Sequence, residues 1–438
     1  MAGTSRPEPI STRRQRIAEL ARRTPEMALT TLAHNIDRAW MQEALRLVRK
    51  DGATGIDGQT MAEFMSGDLD EKLGELEDLA KSGRYRAPPV RRATIPKDGG
   101  GTRKLGIPTV ADKVQQRAYA MLLEDVYEQV FLDCSYGFRP GRSAHQALTT
   151  VREGLRSMGG GWVLDVDIKS FFDSVDHAIL RDLVSKRVRD GVVHRMIGKW
   201  LNAGVLEGGA VVRSDRGTPQ GGVISPVLAN IYLHYAVDEW FENEVKPRMR
   251  GRAFMVRYAD DIVMVFEDED DARRVAEVLP HRLARFKLEL SPEKTRLVYF
   301  GRPGGGSEPP GTFDFLGFTL FWGISRKGWK TIRWKTSRKR ISRTLKGFNE
   351  WMRRHRHEPV AAQQQTLSRK LRGHYNYFGL TMNIRALQQV FRRVVRLWRL
   401  WLDRRSQRGR MPWKRFVEVL ERHPLPRPEI VHSVFRTA

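Results

Sequence analysis

Two adjacent acids, Asp260 and Asp261, stand between two short and largely apolar runs at 254–258 and 262–266. β-branched and aromatic residues dominate both runs, so the pattern predicts a β-hairpin with Ala259, Asp260 and Asp261 at its tip. Asp is a good turn residue, but a tip chosen only for its turn usually carries Gly or Asn. Neighbouring carboxylates repel each other, and a cation between them offsets that cost. The tip therefore indicates a metal site more strongly than a plain turn.

A second acidic pair strengthens this interpretation. Asp165 and Asp167 occupy alternate positions of a short apolar strand at 162–168, and the two-residue period of a strand places both on one face. A strand that ends in an acid beside the hairpin would supply a third carboxylate. Three carboxylates can hold two Mg²⁺ ions and leave positions open for water and phosphate oxygens. Two ions about 3.5–4 Å apart suit in-line phosphoryl transfer.

The order of these segments resembles that of one family. Tyr258-Ala259-Asp260-Asp261 resembles the YADD box of reverse transcriptases, residues 167–173 resemble their first catalytic aspartate segment, and residues 217–226 resemble the segment between them. The details are most similar to reverse transcriptases encoded within bacterial group II introns, which are also splicing maturases. The resemblance runs from about Ala33 to the C-terminus.

This resemblance implies a fold, an activity and a metal site. The fold is an α+β right-hand polymerase, with fingers, an antiparallel palm sheet that carries the YADD hairpin, and a helical thumb or maturase domain. The activity is RNA-directed DNA synthesis from deoxynucleoside triphosphates, with an RNA template and a DNA or RNA primer. Asp167, Asp260 and Asp261 are the expected catalytic residues. With Ile168 they would bind two Mg²⁺ ions, for which Mn²⁺ is a substitute.

Several further residues are expected to contact the incoming nucleotide. A basic, proline-bounded hairpin at 85–110 is either a solvated surface hairpin or a clamp whose cations close over a triphosphate. The resemblance favours the clamp and implies that Lys97 and Arg103 contact the phosphates. It places Gln220 near the nucleotide or template strand, and Lys294 near the leaving pyrophosphate, where an ammonium group could donate a proton.

Two aromatic residues follow the first catalytic aspartate. Phe171 and Phe172 are either core residues or a wall beneath the sugar of the nucleotide. The resemblance implies that Phe172 blocks a ribose 2′-hydroxyl by steric clash and so selects deoxynucleotides, while Phe171 packs inward.

The charge of the chain is concentrated in its last quarter. The 438 residues carry a net charge of +26, and residues 325–438 hold 30 Lys and Arg against 6 Asp and Glu. This excess implies a polyanionic partner. Tryptophans stand among the arginines, either as the core of a helical bundle or as part of a surface for structured RNA. We expect RNA contacts at Arg392, Arg393, Arg396 and Arg399, and template contacts at Arg139 and Arg142, although loop-end arginines are often merely solvated.

The cysteine count and the lengths of the apolar runs exclude several classes of protein. Cys134 is the single cysteine, which excludes a disulfide framework and a cysteine zinc site and fits a reducing cytoplasm. No run approaches the ~18 apolar residues of a membrane span. We therefore expect a cytoplasmic protein that makes no use of a membrane and associates with the nucleoid when bound to DNA.

The predicted organisation has three parts. Residues 1–30 form a basic segment that is poorly ordered or touches RNA, residues 31–325 form the fingers and palm, and residues 326–438 form the basic thumb or maturase domain. The resemblance adds structured intron RNA and target DNA as partners, and splicing and mobility of the intron as processes. Many relatives also carry an endonuclease domain with cysteine pairs, which we do not expect here.

Two alternatives remain open. A reverse transcriptase of this lineage could serve defence or repair after losing its intron, and intron sequence around the gene would distinguish that case. The protein could also be a splicing-only RNA-binding cofactor with an inactive palm. The intact Asp167, Asp260 and Asp261 argue against an inactive palm.

Overall fold

The computed structural model describes residues 8–96, 102–207, 210–212, 216–217, 221–304, 309–325, 327–406 and 410–433, without the side chains of Pro96, Arg103 and Ala210. The chain forms two compact units: Met1–Ala147 with Trp162–Leu297, and Leu148–Gly161 with Val298–Ala438. The division near residue 298 lies earlier than the boundary that the basic composition suggested at 325/326. The mixture of helices and mainly antiparallel sheets confirms the expected α+β class.

The first unit contains the palm and fingers elements. Its helices are α1 (Ile10–Arg23), α2 (Arg38–Leu47), α3 (Met61–Met65), α4 (Leu69–Lys81), α5 (Val110–Tyr127), α7 (Phe171–Ser174), α8 (His177–Ser185), α9 (Gly191–Leu201), α10 (Ser225–Leu233) and α11 (Glu269–Ala284), while α6 (Ala144–Met158) runs into the second unit. Its strands are β1 (Val90–Pro96), β2 (Thr102–Ile107), β3 (Trp162–Asp167), β4 (Val205–Glu207), β5 (Ala210–Val212), β6 (Ala253–Tyr258), β7 (Asp261–Phe266) and β8 (Arg296–Tyr299), the last of which leads into the second unit.

The palm is a four-stranded sheet in the order β6-β7-β3-β8. β7 is the central antiparallel partner of both β6 and β3, and its residues from Ile262 to Phe266 are all buried. Such a run, apolar on both faces, is typical of a strand covered on both sides. Helix α11 packs against β3 and β7, and it begins where the Asp268 carboxylate accepts a hydrogen bond from the Asp271 amide. The sheet therefore holds the predicted hairpin rigidly.

The fingers contain a second sheet, in the order β2-β1-β4-β5. β1 and β2 form the predicted antiparallel hairpin, and β1 also pairs in parallel with β4. Behind it, α5 buries Asp112, whose carboxylate accepts hydrogen bonds from the Tyr85 hydroxyl and the Trp200 indole, both at 2.7 Å. The cost of burying that carboxylate is offset in part by these bonds.

Within the N-terminal segment, which we expected to be poorly ordered or to touch RNA, residues 10–23 form helix α1. Helix α1 buries Ile17 and Ala21, and Arg14 makes a bidentate contact with Asp125 of α5 at 2.7–3.0 Å. Its basic residues thus include structural ones, because apolar burial and an ion pair hold the helix to the core.

Helix α10 does not end as a regular α-helix. It continues through a π-helical turn at His234–Asp238 and another at Phe241–Val245. A π-turn inserts one extra residue into a helix and is frequent at functional sites. Here it carries Asp238 toward the palm, as described below.

The second unit combines a three-stranded sheet with a helical bundle. The sheet has the order β11-β10-β9, from β9 (Phe313–Phe315), β10 (Phe318–Ile324) and β11 (Lys330–Thr336), and the helices are α12 (Arg338–Arg354), α13 (Val360–Phe378), α14 (Ile384–Asp403) and α15 (Trp413–Arg422). Trp334 and Trp398 are fully buried, which supports the core interpretation for these two tryptophans. Among the described residues, no helix is both long and apolar enough to cross a bilayer.

Candidate active site

The register of the palm sheet brings two of the predicted catalytic acids together. Asp167, the last residue of β3, pairs directly with Asp261, the first residue of β7, and Asp260 lies in the turn that precedes β7. Like charges directly opposite on neighbouring strands are destabilising unless a cation compensates them. In the structure the Lys294 ammonium group donates to both Asp167 carboxylate oxygens, at 3.1 and 3.4 Å. The paired acids therefore form a site at this end of the sheet that a cation would stabilise.

A loop from 289 to 295 holds Asp167 by its backbone. The Ser291 amide donates to the Asp167 carbonyl oxygen at 2.8 Å, and the Thr295 hydroxyl accepts from the Asp167 amide at 3.3 Å. Ile168 forms an isolated bridge with Leu290, and its side chain is buried. The loop that carries Lys294 is therefore fixed against the strand end that carries the catalytic acid.

The YADD turn stores backbone strain. Ala259 has a φ of +57°, in the left-handed region that a residue with a side chain enters at a cost of roughly 1–2 kcal/mol. Residues held in such conformations cluster at functional sites, where the surrounding structure imposes them. Gly137 lies against this turn, and a Cβ atom there would be 2.3 Å from the Ala259 amide nitrogen. The YADD turn therefore requires a glycine at position 137, because any side chain there would clash with its backbone.

A buried polar cluster, which we call the Arg257 network, supports the turn from inside the palm. It consists of Arg257, Asp238, Asn230 and Ser135, and the Arg257 side chain donates to the other three side chains at 2.5–3.0 Å. Arg257 also donates to the Ala259 carbonyl oxygen at 3.2 Å. Burial by itself would lower the pKa of the Arg257 guanidinium, but the Asp238 charge and hydrogen bonds outweigh it and raise that pKa.

The Arg257 network was missed by reasoning from sequence. Arg257 interrupts an apolar strand in which both neighbours, Val256 and Tyr258, suit a sheet. A charged residue inside such a run must find a buried partner, and that was the available signal. No local pattern identifies Asp238 as that partner, because a helix in another part of the chain provides it.

Phe171 and Phe172 differ in burial. Phe171 is buried and meets both Phe172 and Tyr232 edge-on, at ring distances of 5.3 and 6.3 Å. Phe172 is half-buried and packs against the core at its edge. Gly217 lies against this segment, and a Cβ atom there would be 3.3 Å from the Phe172 carbonyl oxygen.

Two described glycines of the segment 217–226 lie against other parts of the first unit. The Gly217 amide donates to the Val175 carbonyl oxygen at 2.8 Å, and the His177 ring contacts the Gly217 carbonyl oxygen at 2.7 Å. A Cβ atom on Gly221 would lie 2.7 Å from the Gly106 carbonyl oxygen of β2. Gly217 therefore lies near the Phe172 segment, and Gly221 lies beside the β1–β2 hairpin.

Three nucleotide contacts predicted from the resemblance fall wholly or partly outside the described residues. Lys97 and Gln220 lie outside them entirely. The backbone of Arg103 pairs with Ile95 in the β1–β2 hairpin, but its side chain is also outside the description. These assignments stay predictions.

The donors at the strand ends suit a hard cation. Mg²⁺ prefers carboxylate oxygens, and the facing carboxylates of Asp167 and Asp261 supply them. Asp165, the other acid of the β3 face, lies 3.3 Å from Arg296 and is therefore engaged elsewhere. Within the part of the chain that the structure describes, no three His, Cys, Asp or Glu side chains come close enough to hold one ion. The donor chemistry fits a metal, and the number of ions stays a prediction.

Arg139 must be removed from the predicted template contacts. Its side chain is buried, contacts both Glu128 carboxylate oxygens at 2.9–3.2 Å, and donates to the carbonyl oxygens of Leu132 and Ser135. These partners leave the guanidinium no face for a phosphate. Arg142 pairs with the exposed Asp133 at 2.5 Å, and its role in template binding stays a prediction.

The four arginines predicted on α14 fall into two groups. Arg392, Arg393 and Arg396 are exposed, on the face opposite the buried stripe of the helix. Arg399 instead donates to the Met411 carbonyl oxygen at 2.7 Å and lies 4.8 Å above the Trp413 ring. Arg399 therefore stabilises the bundle, while the first three are available to a phosphate backbone.

Comparison with known families decides among the classes that this geometry allows. A family model described as reverse transcriptase (RNA-dependent DNA polymerase) matches residues 95–320, just over half of the chain. The match includes Asp167, Asp260 and Asp261. The chain belongs to the reverse transcriptase family. The expected right-hand polymerase fold and the expected class of RNA-directed DNA polymerase are thereby confirmed.

Individual relatives refine the comparison. This reverse transcriptase is 33% identical to Protein YkfC of Escherichia coli (strain K12), over 73% of its own length and 90% of that protein. It is also 33% identical to the group II intron-encoded protein LtrA of Lactococcus lactis subsp. cremoris, over 64% of its own length and 54% of LtrA. It is 27% identical to nuclear intron maturase 2, mitochondrial, of Arabidopsis thaliana, over 44% of its length and 30% of the maturase. The chain thus spans about half the length of LtrA.

These relatives bear on the resemblance that the motifs indicated. Their names, together with the family match, confirm the similarity to group II intron reverse transcriptases and maturases. Nucleic acid and nucleotides follow as the general class of partners. The identities of the RNA, the primer and the target DNA belong to the proposals below.

Proposed function

We propose that the protein copies RNA into DNA from a primer 3′-hydroxyl, at a palm site formed by Asp167, Asp260 and Asp261. The observation that carries this proposal is the cross-strand pairing of Asp167 with Asp261, beside a strained turn that presents Asp260. A hard dication, with Mg²⁺ proposed, supplies charge neutralisation at the attacking and leaving oxygens when it is bound. Deoxynucleoside triphosphates and an RNA template are the proposed substrates.

The residues of the chain have separate tasks at this site. The carboxylates of Asp167, Asp260 and Asp261 hold the metal, with the Ile168 backbone as a further proposed ligand. The Lys294 ammonium group, which in the structure donates to the Asp167 carboxylate, is proposed to donate a proton to the departing pyrophosphate. In the fingers, Lys97 and Arg103 are proposed to contact the phosphates.

A primer-extension assay tests the polymerase proposal. The purified protein should extend a DNA primer on an RNA template with Mg²⁺, with Mn²⁺ as a substitute. Asp167→Asn and Asp260→Asn preserve side-chain shape and remove one metal-binding charge each, so both variants should lose synthesis while retaining the fold. Normal extension by either folded variant would contradict the assignment of the metal site.

We propose further that the protein binds structured group II intron RNA and assists its splicing and mobility, with target DNA as a partner in mobility. The exposed Arg392, Arg393 and Arg396 support this proposal, because they form one charged face of α14. The names of LtrA and the intron maturase support it as well. Phosphate contacts release counterions, so affinity for RNA should fall steeply with salt.

A salt series tests the RNA-binding part. Replacing Arg392, Arg393 and Arg396 with Gln should weaken binding of intron RNA, flatten its salt dependence and reduce splicing assistance. The same three-charge change at Arg248, Arg250 and Arg285, which are exposed in the first unit, is the matched control. Equal losses from both triple variants would show that net charge, and not the face of α14, governs RNA binding.

A further inference from the structure

The second unit contains a cavity that none of the roles above uses. It has a volume of about 960 Å³ and is lined by the end of α6, the β10–β11 hairpin and the turn that leads into α14. All of these segments belong to the second unit. The volume lies at the upper end of the range of small-molecule sites, so the cavity could admit one or two flat ring systems.

The tip of the β10–β11 hairpin places large apolar side chains at the mouth of this cavity. Trp329 is 68% exposed and Ile324 is 66% exposed, and both line the cavity. The two tryptophans already assigned to the core, Trp334 and Trp398, are no more than 1% exposed. The exposed Trp329 indole contributes no packing to the core. An exposed apolar patch rimmed by polar groups marks an interaction site.

The same cavity is strongly positive. Its lining includes Arg152, Arg156, Lys330, Arg333 and Arg385, and its described lining residues include no acid. Arg156 and Arg385 are exposed, whereas Arg152 is nearly buried beneath the hairpin and donates to the Ile332 carbonyl oxygen at 3.1 Å. Glu153 beside the cavity pairs with both Arg152 and Arg156, so part of the charge is compensated. The charges of Lys330, Arg333 and Arg385 remain, and they suit an anionic ligand.

The walls of the cavity are fixed by hydrogen bonds. The Ser325 amide donates to the Trp329 carbonyl oxygen at 2.8 Å, and the Ser325 hydroxyl accepts from the Trp329 amide at 3.0 Å. On the facing wall, the buried Asn383 side chain bonds the Thr336 amide and hydroxyl at 2.9 and 2.8 Å. The hairpin tip and the α14 turn are therefore preorganised, which lowers the entropy cost of binding.

The turn on that facing wall also carries strain. Met382 lines the cavity with a φ of +76°, outside the usual range for a residue with a side chain. The surrounding structure imposes this conformation, because the Trp334 indole donates to the Thr381 carbonyl oxygen at 2.7 Å and the Thr381 amide donates to the His432 carbonyl oxygen at 3.0 Å. Strain of this kind is characteristic of ligand sites.

We infer that this cavity binds an unpaired nucleotide of RNA, whose base stacks on the Trp329 indole while flanking phosphates contact Arg385, Lys330 and Arg156. An aromatic ring among cations is the arrangement that recognises single-stranded nucleic acid, because each base offers a π-face and each linkage a charge. The inference rests on the proposed function only in taking RNA as the polyanion. It adds a base-stacking subsite built on the β10–β11 hairpin, to which Arg385 in the first turn of α14 contributes.

The apolar and charged features together select this ligand over others. A regular duplex buries its base faces, so it could use the cations but not the exposed indole. An acidic peptide could pair with the cations but would leave the fixed indole without a planar partner. A single-stranded segment satisfies both features at once.

Binding of short RNAs by the full chain tests this inference. The probes are a single-stranded oligouridine and the same strand paired with oligoadenosine. Trp329→Ala should weaken binding of the single strand about 5- to 150-fold, the range that one stacked base contributes, with little change in the salt slope. Trp329→Phe, which keeps a ring, should restore most of the affinity. The double variant Lys330→Gln with Arg385→Gln should flatten the salt slope by roughly 0.7 for each phosphate that is no longer neutralised.

Location is tested by cross-linking the protein to oligouridine that contains 4-thiouridine. The adduct should map to the hairpin tip at residues 324–333, and Trp329→Ala should remove it. The inference is overturned if Trp329→Ala binds the single strand as tightly as the wild type, if it weakens duplex binding equally, or if the adduct maps elsewhere. Failure of the proposed polymerase function would instead appear as absence of DNA synthesis by the wild type, which these binding measurements do not use.

Discussion

The Arg257 guanidinium donates two hydrogen bonds to the Asp238 carboxylate, at 2.7 and 2.5 Å, and neither side chain is exposed. This ion pair lies directly beneath the YADD turn, because the same guanidinium also donates to the Ala259 carbonyl oxygen. A buried pair of charges is weak as a source of stability but expensive to break. Its geometry links the shape of the turn to a helix that is remote in sequence.

We expect Arg257→Ala or Asp238→Ala to reduce the free energy of unfolding by about 3–5 kcal/mol, because each leaves one buried charge unpaired. The matched control is Arg252→Ala, which breaks the exposed pair between Arg252 and Glu267 near the other end of the same hairpin. That change should alter stability little, since solvent screens exposed pairs. Urea denaturation measures all three variants, and equal effects at Arg257 and Arg252 would contradict a supporting role for the Arg257 network.

Gly137→Ala should impair DNA synthesis more than RNA binding. The added Cβ atom would lie 2.3 Å from the Ala259 amide nitrogen, so the YADD turn must shift and Asp260 with it. A displacement of this kind near the reacting groups can cost about 100-fold in rate. The control is Gly198→Ala, where a Cβ atom meets nothing within 4 Å inside α9. Single-turnover extension rates test the difference, and unchanged synthesis by the folded Gly137→Ala variant would show that the turn tolerates movement.

Phe172→Ala and Phe172→Val should raise the incorporation of ribonucleotides relative to deoxynucleotides. We propose that Phe172, which is half-buried and contacts the ring of Phe171, blocks a 2′-hydroxyl by steric clash. Phe172→Tyr retains the ring and should retain the discrimination. Competition between the two nucleotide types in a primer-extension assay gives the ratio. If truncation left the ratio unchanged, the wall that selects the sugar would lie elsewhere.

The raised pKa of the buried Asp112 carboxyl should make the free energy of unfolding depend on pH. Burial raises the pKa of this carboxyl from its usual 3.8 to about 6, although hydrogen bonds from Tyr85 and Trp200 oppose the rise. The folded state therefore keeps the proton longer than the unfolded state, and the stability present below pH 3.8 is lost as the pH rises through 6. Relative to Asp112→Asn, the wild type should lose up to about 3 kcal/mol between pH 4 and pH 7. Denaturation of both proteins at the two pH values checks this, and a difference independent of pH would contradict it.

The sequence predicted local structure correctly where apolar runs or the two-residue period of a strand coincided with a buried sheet. The apolar runs around Asp260 and the alternation at Asp165 and Asp167 predicted the hairpin and the strand, and the structure contains both. The adjacent acids indicated a metal site. The right-hand polymerase fold and the catalytic roles of the three aspartates were implied by the resemblance to reverse transcriptases.

Features decided by distant partners could not be predicted in this way. The charge of Arg139 suggested a contact with the RNA template, but its guanidinium donates its hydrogen bonds to Glu128 and to nearby carbonyl oxygens. The basic composition of the N-terminal segment suggested poor order or contact with RNA, but Asp125 and the buried residues Ile17 and Ala21 fix helix α1 to the core. A sequence records how many charges a segment carries and not which of them are already neutralised within the fold.

The π-turn at His234–Asp238 makes the polymerase site sensitive to chain length as well as to residue type. One residue more in a regular α-helix rotates everything beyond it by about 100°. Because the π-turn already accommodates one extra residue, a further insertion between Asn230 and Asp238 would rotate the Asp238 carboxylate away from Arg257, without altering any polar side chain. Relatives that keep the pair between Arg257 and Asp238 should therefore accept substitutions along this helix more readily than insertions.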